Sequence, residues 1–240
     1  MAPAARILTW NIEWGRRGPA AIANMRHVIE ALSPDIICLT EMTLDFVPAA
    51  GHLITASEDW GYPLVEGRRK VALWSREPWS EVDAFGNAAL PKGRFIAGET
   101  VTPIGPLQVI GVCIPWHGDH VSSGRRDSTN WQQHEAFLTG LAEVLAARTN
   151  RVVLVGDFNQ AIPPARQPRR VVAALEAALA PHLRIATAGP LPPLDRPVID
   201  HIGHTMDLTP RRVQATPNGP VEGPAWTDHL GALVELEATA

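Results

Sequence analysis

Cysteine is scarce in this 240-residue chain: there are two, Cys38 and Cys113, and each sits inside an apolar run, IICL and VCI. A disulfide framework is thereby excluded, and both read as reduced core residues. Long apolar stretches are missing too. The N-terminal MAPAARILTW carries no long apolar region of a signal peptide, and nothing in the chain is long and apolar enough to read as a membrane span. The expectation is a soluble protein of the cytoplasm, with no membrane insertion. An excess of charge of one sign is also lacking. The net charge of −4 gives no global pull towards nucleic acid or anionic membranes. There is no low-complexity linker, no short repeat and no break in composition, so residues 1–240 read as one domain, expected to be a monomer.

What is present is a globular composition, with 45% hydrophobic and 19% charged residues. Strand-like runs recur at RILTWNI (6–12), DIICLT (35–40), KVALWS (70–75), RFIAGETV (94–101), LQVIGVCI (107–114), VVLVG (152–156), LRIAT (183–187), VIDHI (198–202) and ALVELE (232–237). Helical spacing appears in 20–32, with Ile22, Met25, Val28, Ile29 and Leu32 on one stripe behind Gly18-Pro19. It appears again in 131–148, where Ser128 and Thr129 are candidate caps, and in 169–180 between two prolines. Several strands follow one another with no helix between them, which argues against a simple alternating βαβ fold. The Pro-rich pieces 160–168 and 188–197 read as surface loops able to shape a cleft.

The ends of these strands share a chemistry. Asn11 and Glu13 stand two apart in TWNIEW, and Glu41 ends SPDIICLTE. VVLVGDFNQ stops at Asp157 and Asn159, Asp200 interrupts the apolar VIDHI, and Asp228-His229 precede the last strand. Carboxylates and carboxamides are poor strand formers and costly to bury unpaired. Each alone has a bland explanation. Asn11 suits a turn, Glu13 a solvated position, Glu41 a helix cap, and Gly-Asp-x-Asn a tight turn; Asp200 could pair with a cation, and Asp228-His229 could be a surface loop pair. Five strands delivering such groups in order point instead to one cleft. Hard oxygen ligands suit Mg²⁺ or Mn²⁺, whereas zinc favours histidine and thiolate. An Asp–His pair with a second Asp can hold a general base. Together they point to hydrolysis of a phosphate ester.

The series TWNIEW, SPDIICLTE, VALWSR, GRFIAGETV, VVLVGDFNQ, VIDHI and TDHLGALVEL, from Ile7 to Glu237, resembles the endonuclease/exonuclease/phosphatase superfamily. That group includes DNase I-like nucleases, abasic-site endonucleases, sphingomyelinases, inositol polyphosphate 5-phosphatases and deadenylases. The resemblance implies an α/β fold of two mixed β-sheets packed as a sandwich with flanking helices. It implies Mg²⁺ or Mn²⁺ held by Glu41, with Asn11, Glu13 and Asp228 associated with the metal. Asp157 would activate water, Asn159 would bind the scissile phosphate, and His229, oriented by Asp200, would stabilise developing charge. His117 would fill a histidine position from a shifted place, and Arg94 would touch phosphate. The chain departs from abasic-site nucleases at Cys113 and Trp116, where those show tyrosine and asparagine, and Thr40 stands where glutamine is common.

The resemblance does not select the substrate. Arginine clusters (Arg68-Arg69-Lys70, Arg125-Arg126, Arg169-Arg170, Arg211-Arg212) and eight tryptophans favour a nuclease, with DNA as the leading partner. Trp10, Trp14, Trp60, Trp116 and Trp226 lie near the motif segments, and Trp74 in VALWS reads as core. The net charge of −4 stands against DNA, and the alternative substrate is a small phosphorylated metabolite or a lipid headgroup, the latter disfavoured by the lack of anything resembling a membrane-inserting hairpin. A binding module that lost the chemistry is the non-enzymatic alternative, and the joint presence of the acidic and His groups argues against it.

Overall fold

Two six-stranded sheets lie face to face in the computed structural model, which describes residues 2–48, 50–148 and 151–239. The first is built from β1 (Ala5–Asn11), β2 (Ile36–Thr43), β3 (His52–Thr55), β4 (Arg68–Ser75), β13 (Leu208–Thr216) and β14 (Gly231–Ala238). Its order is β13-β14-β1-β2-β4-β3. The second uses β5 (Trp79–Asp83), β6 (Phe95–Thr102), β7 (Gly105–Cys113), β8 (Val152–Asp157), β9 (Arg184–Ile185) and β12 (Asp200–His204), in the order β5-β6-β7-β8-β12-β9. A short hairpin, β10 (Pro190–Leu191) with β11 (Arg196–Pro197), lies within the Pro-rich loop 188–197.

Each sheet has one parallel pair at its centre, β1 with β2 and β7 with β8. Parallel neighbours need a crossover, supplied by helix α1 (Pro19–Leu32) in the first sheet and α2 (Gln132–Ala146) in the second. A third helix, α3 (Arg169–Leu179), packs beside α2. The fold is therefore the mixed two-sheet sandwich that the family resemblance implies, in keeping with the consecutive strands.

Period-2 alternation sorts the side chains into three layers. Ile7, Cys38, Val71, Val109, Val155, Ile202 and Val234 fill the seam between the sheets. Leu8, Trp10, Ile37, Leu39 and Trp74 face Met25 and Ile29 of α1. Ile110, Val112, Leu154 and Phe158 face Phe137, Leu141 and Leu175 of α2 and α3. Strands covered on both faces read as continuous apolar runs, which is why β7 and β8 were visible in the sequence. Truncating a central member such as Leu154 to Ala should cost about 2–5 kcal/mol.

The elements that escaped the sequence reading are edge or near-edge strands. β13 carries Pro210 and Arg211-Arg212, and a register shift falls between Pro210 and Arg212. Pro and charge belong on sheet edges, where a missing N–H does no harm. The expected caps of α2 also differ: Trp131 takes the N-cap position with a left-handed backbone and no side-chain cap bond. Thr129 turns aside to donate from its N–H and Oγ1 to Gln132 Oε1, at 2.9 and 3.1 Å.

Candidate functional site

The same alternation aims the polar groups. Asn11 shares its face with Ile7, Asp157 with Val155, and Asp200 with Ile202, and those apolar partners all lie in the inter-sheet seam. All three polar residues are buried. Asp200 stands directly opposite Asp157 in the antiparallel β8–β12 register. Like charges facing each other across strands repel, so a cation must sit with them if both ionise.

His229 supplies it. Its Nδ1 donates to Asp200 Oδ2 at 2.6 Å, and one atom each of Asp157, Asp200 and His229 lie within 4.8 Å of one another. The segment bearing His229 is tied to the end of β1. Trp10 Nε1 donates to His229 O at 3.1 Å, while Thr227 Oγ1 donates to Asn11 O at 2.8 Å and accepts from His229 N at 3.3 Å. Thr-Asp-His is thus a tight turn whose threonine locks the histidine to the first sheet.

Asp157 accepts from Asn159 N at 2.8 Å through Oδ1 and from Asn11 Nδ2 at 3.1 Å through Oδ2. Asn159 takes a left-handed φ of 52°, which asparagine tolerates well, and its Nδ2 donates to Ile114 O at 2.8 Å. Burial penalises the charged form of Asp157. The His229 charge opposes this, facing Asp200 adds to it, and the carboxyl is raised to about 7. Burial works against charge on His229 as well, but Asp200 and Asp157 overcome it and hold the imidazolium up to about 10. At neutral pH the pair is therefore a poised carboxyl beside a protonated imidazole.

Glu41 forms the other side. Leu39 and Met42, three apart, both pack in the layer under α1, so alternation breaks between them. The residue at the break is Glu41, with a left-handed φ of 48°. Thr40 pairs with Val71 and Met42 with Arg69, so Glu41 faces Lys70, whose Nζ donates to Glu41 Oε1 at 2.7 Å. Burial would raise the Glu41 carboxyl, but the Lys70 ammonium and its hydrogen bond, with the charges of His229 and Arg94, hold it below the usual carboxylate range. Lys70 also lies 5.3 Å from the centroid of Trp14, which stacks on Trp60 at 5.6 Å and carries the Arg68 guanidinium at 4.9 Å. Trp14 has a φ of 59°, uncommon for so bulky a residue.

Other candidates lie elsewhere. Glu13 is buried in ion pairs with Arg16 and Arg17, and its N–H donates to Asn11 Oδ1 at 3.0 Å. It holds the turn after β1, and with Asn11 Oδ1 so engaged, Asn11 enters the site as an N–H donor to Asp157. Both residues thus organise the turn after β1 and the Asp157 carboxyl. Arg94 is 1% exposed and donates through Nη2 to Asp119 Oδ1 at 2.7 Å, with Tyr62 on the same oxygen at 3.0 Å. An arginine so enclosed offers no surface to a phosphate; it acts on Glu41 through its field. His117 is exposed and packs against Trp116 and Trp131, and no contact joins it to Asp157 or His229 among the described residues. Trp116, 39% exposed, stands on the same rim, and the Asp228 side chain is 57% exposed, 3.8 Å from His229 Nε2.

The donor set fits a hard divalent cation. Asp157 and Asp200 offer oxygens within 4.8 Å of one another, and Asp200 Oδ1 is buried with no hydrogen-bond partner. A carboxylate oxygen in that state calls for a cation or water.

A model of the family described as Endonuclease/Exonuclease/phosphatase matches residues 8–230. No functionally curated protein matches the chain. Among solved structures, the chain is similar to an endonuclease/exonuclease/phosphatase from Beutenbergia cavernae DSM 12333, with 18% identity, a TM-score of 0.65, and 99% of this chain covered against 72% of the other. A variant of the 3′ phosphatase NExo from Neisseria, bound to a product DNA hairpin, superposes with a TM-score of 0.68 at 20% identity over 98% of this chain and 100% of its own. D. rerio TDP2 complexed with single strand DNA product gives 0.66 at 13%, covering 98% and 99%. With the family model spanning nearly the whole chain and the two-sheet sandwich in common, the chain belongs to the Endonuclease/Exonuclease/phosphatase family of phosphoester hydrolases.

Proposed function

We propose that this chain is a divalent-metal-dependent nuclease that hydrolyses phosphodiester bonds by in-line attack of water. The observation that carries the reading is Asp157: buried, directed by Asn159 N and Asn11 Nδ2, and raised to about 7 beside a protonated His229. A base poised near neutrality suits proton removal from water at physiological pH. The proton passes to a carboxylate oxygen of Asp157 as the water oxygen attacks phosphorus opposite the leaving oxygen. Asn159 and the free Nε2 of His229 hold the phosphoryl oxygens as charge develops, and Asp200 keeps His229 oriented and cationic.

Glu41 would hold Mg²⁺ or Mn²⁺, which would neutralise phosphoryl oxygens and favour departure of the leaving oxygen. Support for nucleic acid comes from the DNA-bound relatives NExo and TDP2 and from the Trp14–Trp60 stack with Arg68 beside Glu41. The −4 net charge favours the second reading, a phosphatase or phosphodiesterase of a small phosphorylated substrate. We take the active form as a monomer. No helix among the described residues is long and apolar enough to cross a membrane. The unbridged, buried Cys38 and Cys113 suit a reducing compartment such as the cytoplasm.

The test is cleavage of end-labelled DNA, with and without an abasic site, in Mg²⁺ against EDTA, beside Asp157→Ala. Turnover in the variant should fall by roughly 10²-fold or more with its melting temperature preserved. Unchanged turnover would remove Asp157 from its role. Absence of cutting by a folded wild type, with release of phosphate from small esters, would establish the second reading.

A further inference from the structure

Behind the site, on the helix-facing side of β8 and β12, lies a second set of polar groups with no place in the hydrolytic chemistry. His134, Gln160, Thr187 and His201 are all buried. Their protons can be assigned from partners of fixed polarity. His134 Nδ1 lies 2.6 Å from Pro115 O, which can only accept, so Nδ1 bears hydrogen. His134 Nε2 lies 2.7 Å from Gln160 Nε2, which also reaches Val171 O at 3.4 Å, so the amide donates and the imidazole is neutral. His201 Nε2 lies 3.0 Å from Gln160 O and must donate, leaving Nδ1 to accept from Thr187 Oγ1 at 2.9 Å. Thr187 Oγ1 accepts in turn from Ile202 N at 3.0 Å.

Each anchored backbone position is one residue from a group that shapes the site. Pro115 follows Ile114, whose carbonyl holds Asn159. Gln160 follows Asn159, and His201 follows Asp200 on the opposite face of β12. We propose that Gln160, His134 and His201 are positioning residues, a neutral-imidazole brace that ties the 114–116 segment, the 158–160 segment and β12 together from behind. The proposal rests on the reading of Asp157, Asn159, Asp200 and His229 as the hydrolytic site.

Backbone bonds from Ile114 N to Asp157 O and from Phe158 N to Ile199 O, both 2.8 Å, carry the ladders to the strand ends, and among the described residues no backbone bond continues them to Asn159 and Gln160. Apolar side chains could fill the same volume at less desolvation cost. They could not fix direction, whereas a hydrogen-bonded chain with every member satisfied does. No atom of this chain is among the buried polar atoms left without a partner, in contrast to Asp200 Oδ1 in front. Phe158 lies 5.2 Å from the His201 ring and Trp131 5.1 Å, edge-on, from that of His134, which closes the brace against water. Burial, opposed by the hydrogen bond to a carbonyl, lowers both imidazoles to about 4, so they stay neutral over the working range.

The test begins with ¹⁵N NMR of the imidazoles in the wild type, which needs no substrate and no variant. His134 should be the neutral Nδ1–H tautomer and His201 the neutral Nε2–H tautomer; either in the other tautomer, or cationic at neutral pH, overturns the brace. Gln160→Leu should then lower kcat on bis(4-nitrophenyl) phosphate by about 10- to 100-fold with KM within a factor of two. It should also shift the low-field proton shared by His229 and Asp200, although Gln160 touches neither. Gln160→Glu restores the link with His134 as an imidazolium and should recover most of that kcat. A folded Gln160→Leu with wild-type kcat and an unmoved His229 resonance would sink the proposal. If the wild type hydrolyses no phosphoester, the functional reading fails, and the tautomers and the His229 resonance still decide the brace.

Discussion

Strand β12 separates two histidine environments that differ in almost every respect. In front, Asp200 pairs with His229, and carboxylates raise that imidazole to about 10. Behind, one residue further along, His201 is enclosed by neutral partners and lowered to about 4. Both rings are largely removed from water, so burial alone does not decide charge. What decides it is whether the partner is a carboxylate or a carbonyl. The front carries charge because carboxylates face the imidazole, and it leaves Asp200 Oδ1 unsatisfied. The back gives both ring nitrogens of His134 and His201 a neutral partner and carries no charge.

The largest effect should come from stripping the front of its cation. His229→Ala leaves Asp200 and Asp157 face to face without compensation. Urea denaturation at neutral pH should show a loss of about 3–5 kcal/mol, and turnover should fall by at least about 10²-fold. His201→Ala removes a neutral link and should lose about 1–3 kcal/mol. Equal losses at the two positions would abolish the distinction drawn between the faces.

A pH series sharpens the comparison. For His229, raised to about 10 from 6.5, the stabilisation is fully present below 6.5 and is lost as pH rises through about 10. For His134 and His201, lowered to about 4 from 6.5, the unfolded chain binds protons that the folded one refuses, so stability is lost as pH falls from 6.5 towards 4. Asp157, raised to about 7, offsets part of that acid loss, because its buried carboxyl is more stable protonated. The unfolding free energy measured across this range should therefore fall on both sides. His201→Asn should flatten the acid limb and His229→Asn the alkaline one; exchange of those two outcomes would overturn the assignment.

The smallest effect concerns Glu41. Lys70→Met frees Glu41 Oε1 from the ammonium that now holds it at 2.7 Å. The Glu41 carboxyl should rise towards its ordinary range, and Mg²⁺ should bind a few-fold more tightly by isothermal titration. Stability should change by about 0.2–1 kcal/mol, as for a pair that keeps some contact with solvent. Weaker Mg²⁺ binding would instead mean that Lys70 orders Glu41 for the cation.

Much of this was legible in the chain. Continuous apolar runs marked the buried strands, and Gly-Asp-x-Asn, Asp200 and Thr-Asp-His stood out because polar groups at the ends of such runs are expensive without partners. The three helices follow from 3.6-residue periodicity and flanking prolines, and they end within two residues of the expected bounds. Lys70, His134 and Gln160 were not singled out. Lys70 looked like one member of a solvated basic cluster, and its role appears only through the β2–β4 register. His134 lies on the otherwise apolar buried face of α2, and Gln160 reads as the first residue of a Pro-rich loop.

The sequence alone therefore determined which residues line strands, which cap them with carboxylates, and that phosphoester hydrolysis is the best match, because alternation and burial cost are local properties of the chain. Tertiary structure decided which groups meet: that Asp200 faces Asp157, that Glu13 and Arg94 are claimed by neighbouring charges, that Lys70 holds Glu41, and that one face of β12 carries charge while the other excludes it. Apart from the local Glu13 pairs, those outcomes depend on strand register and on partners from separate elements, as with Lys70 and Glu41 or Arg94 and Asp119, and electrostatics in a buried site is set by distance in space.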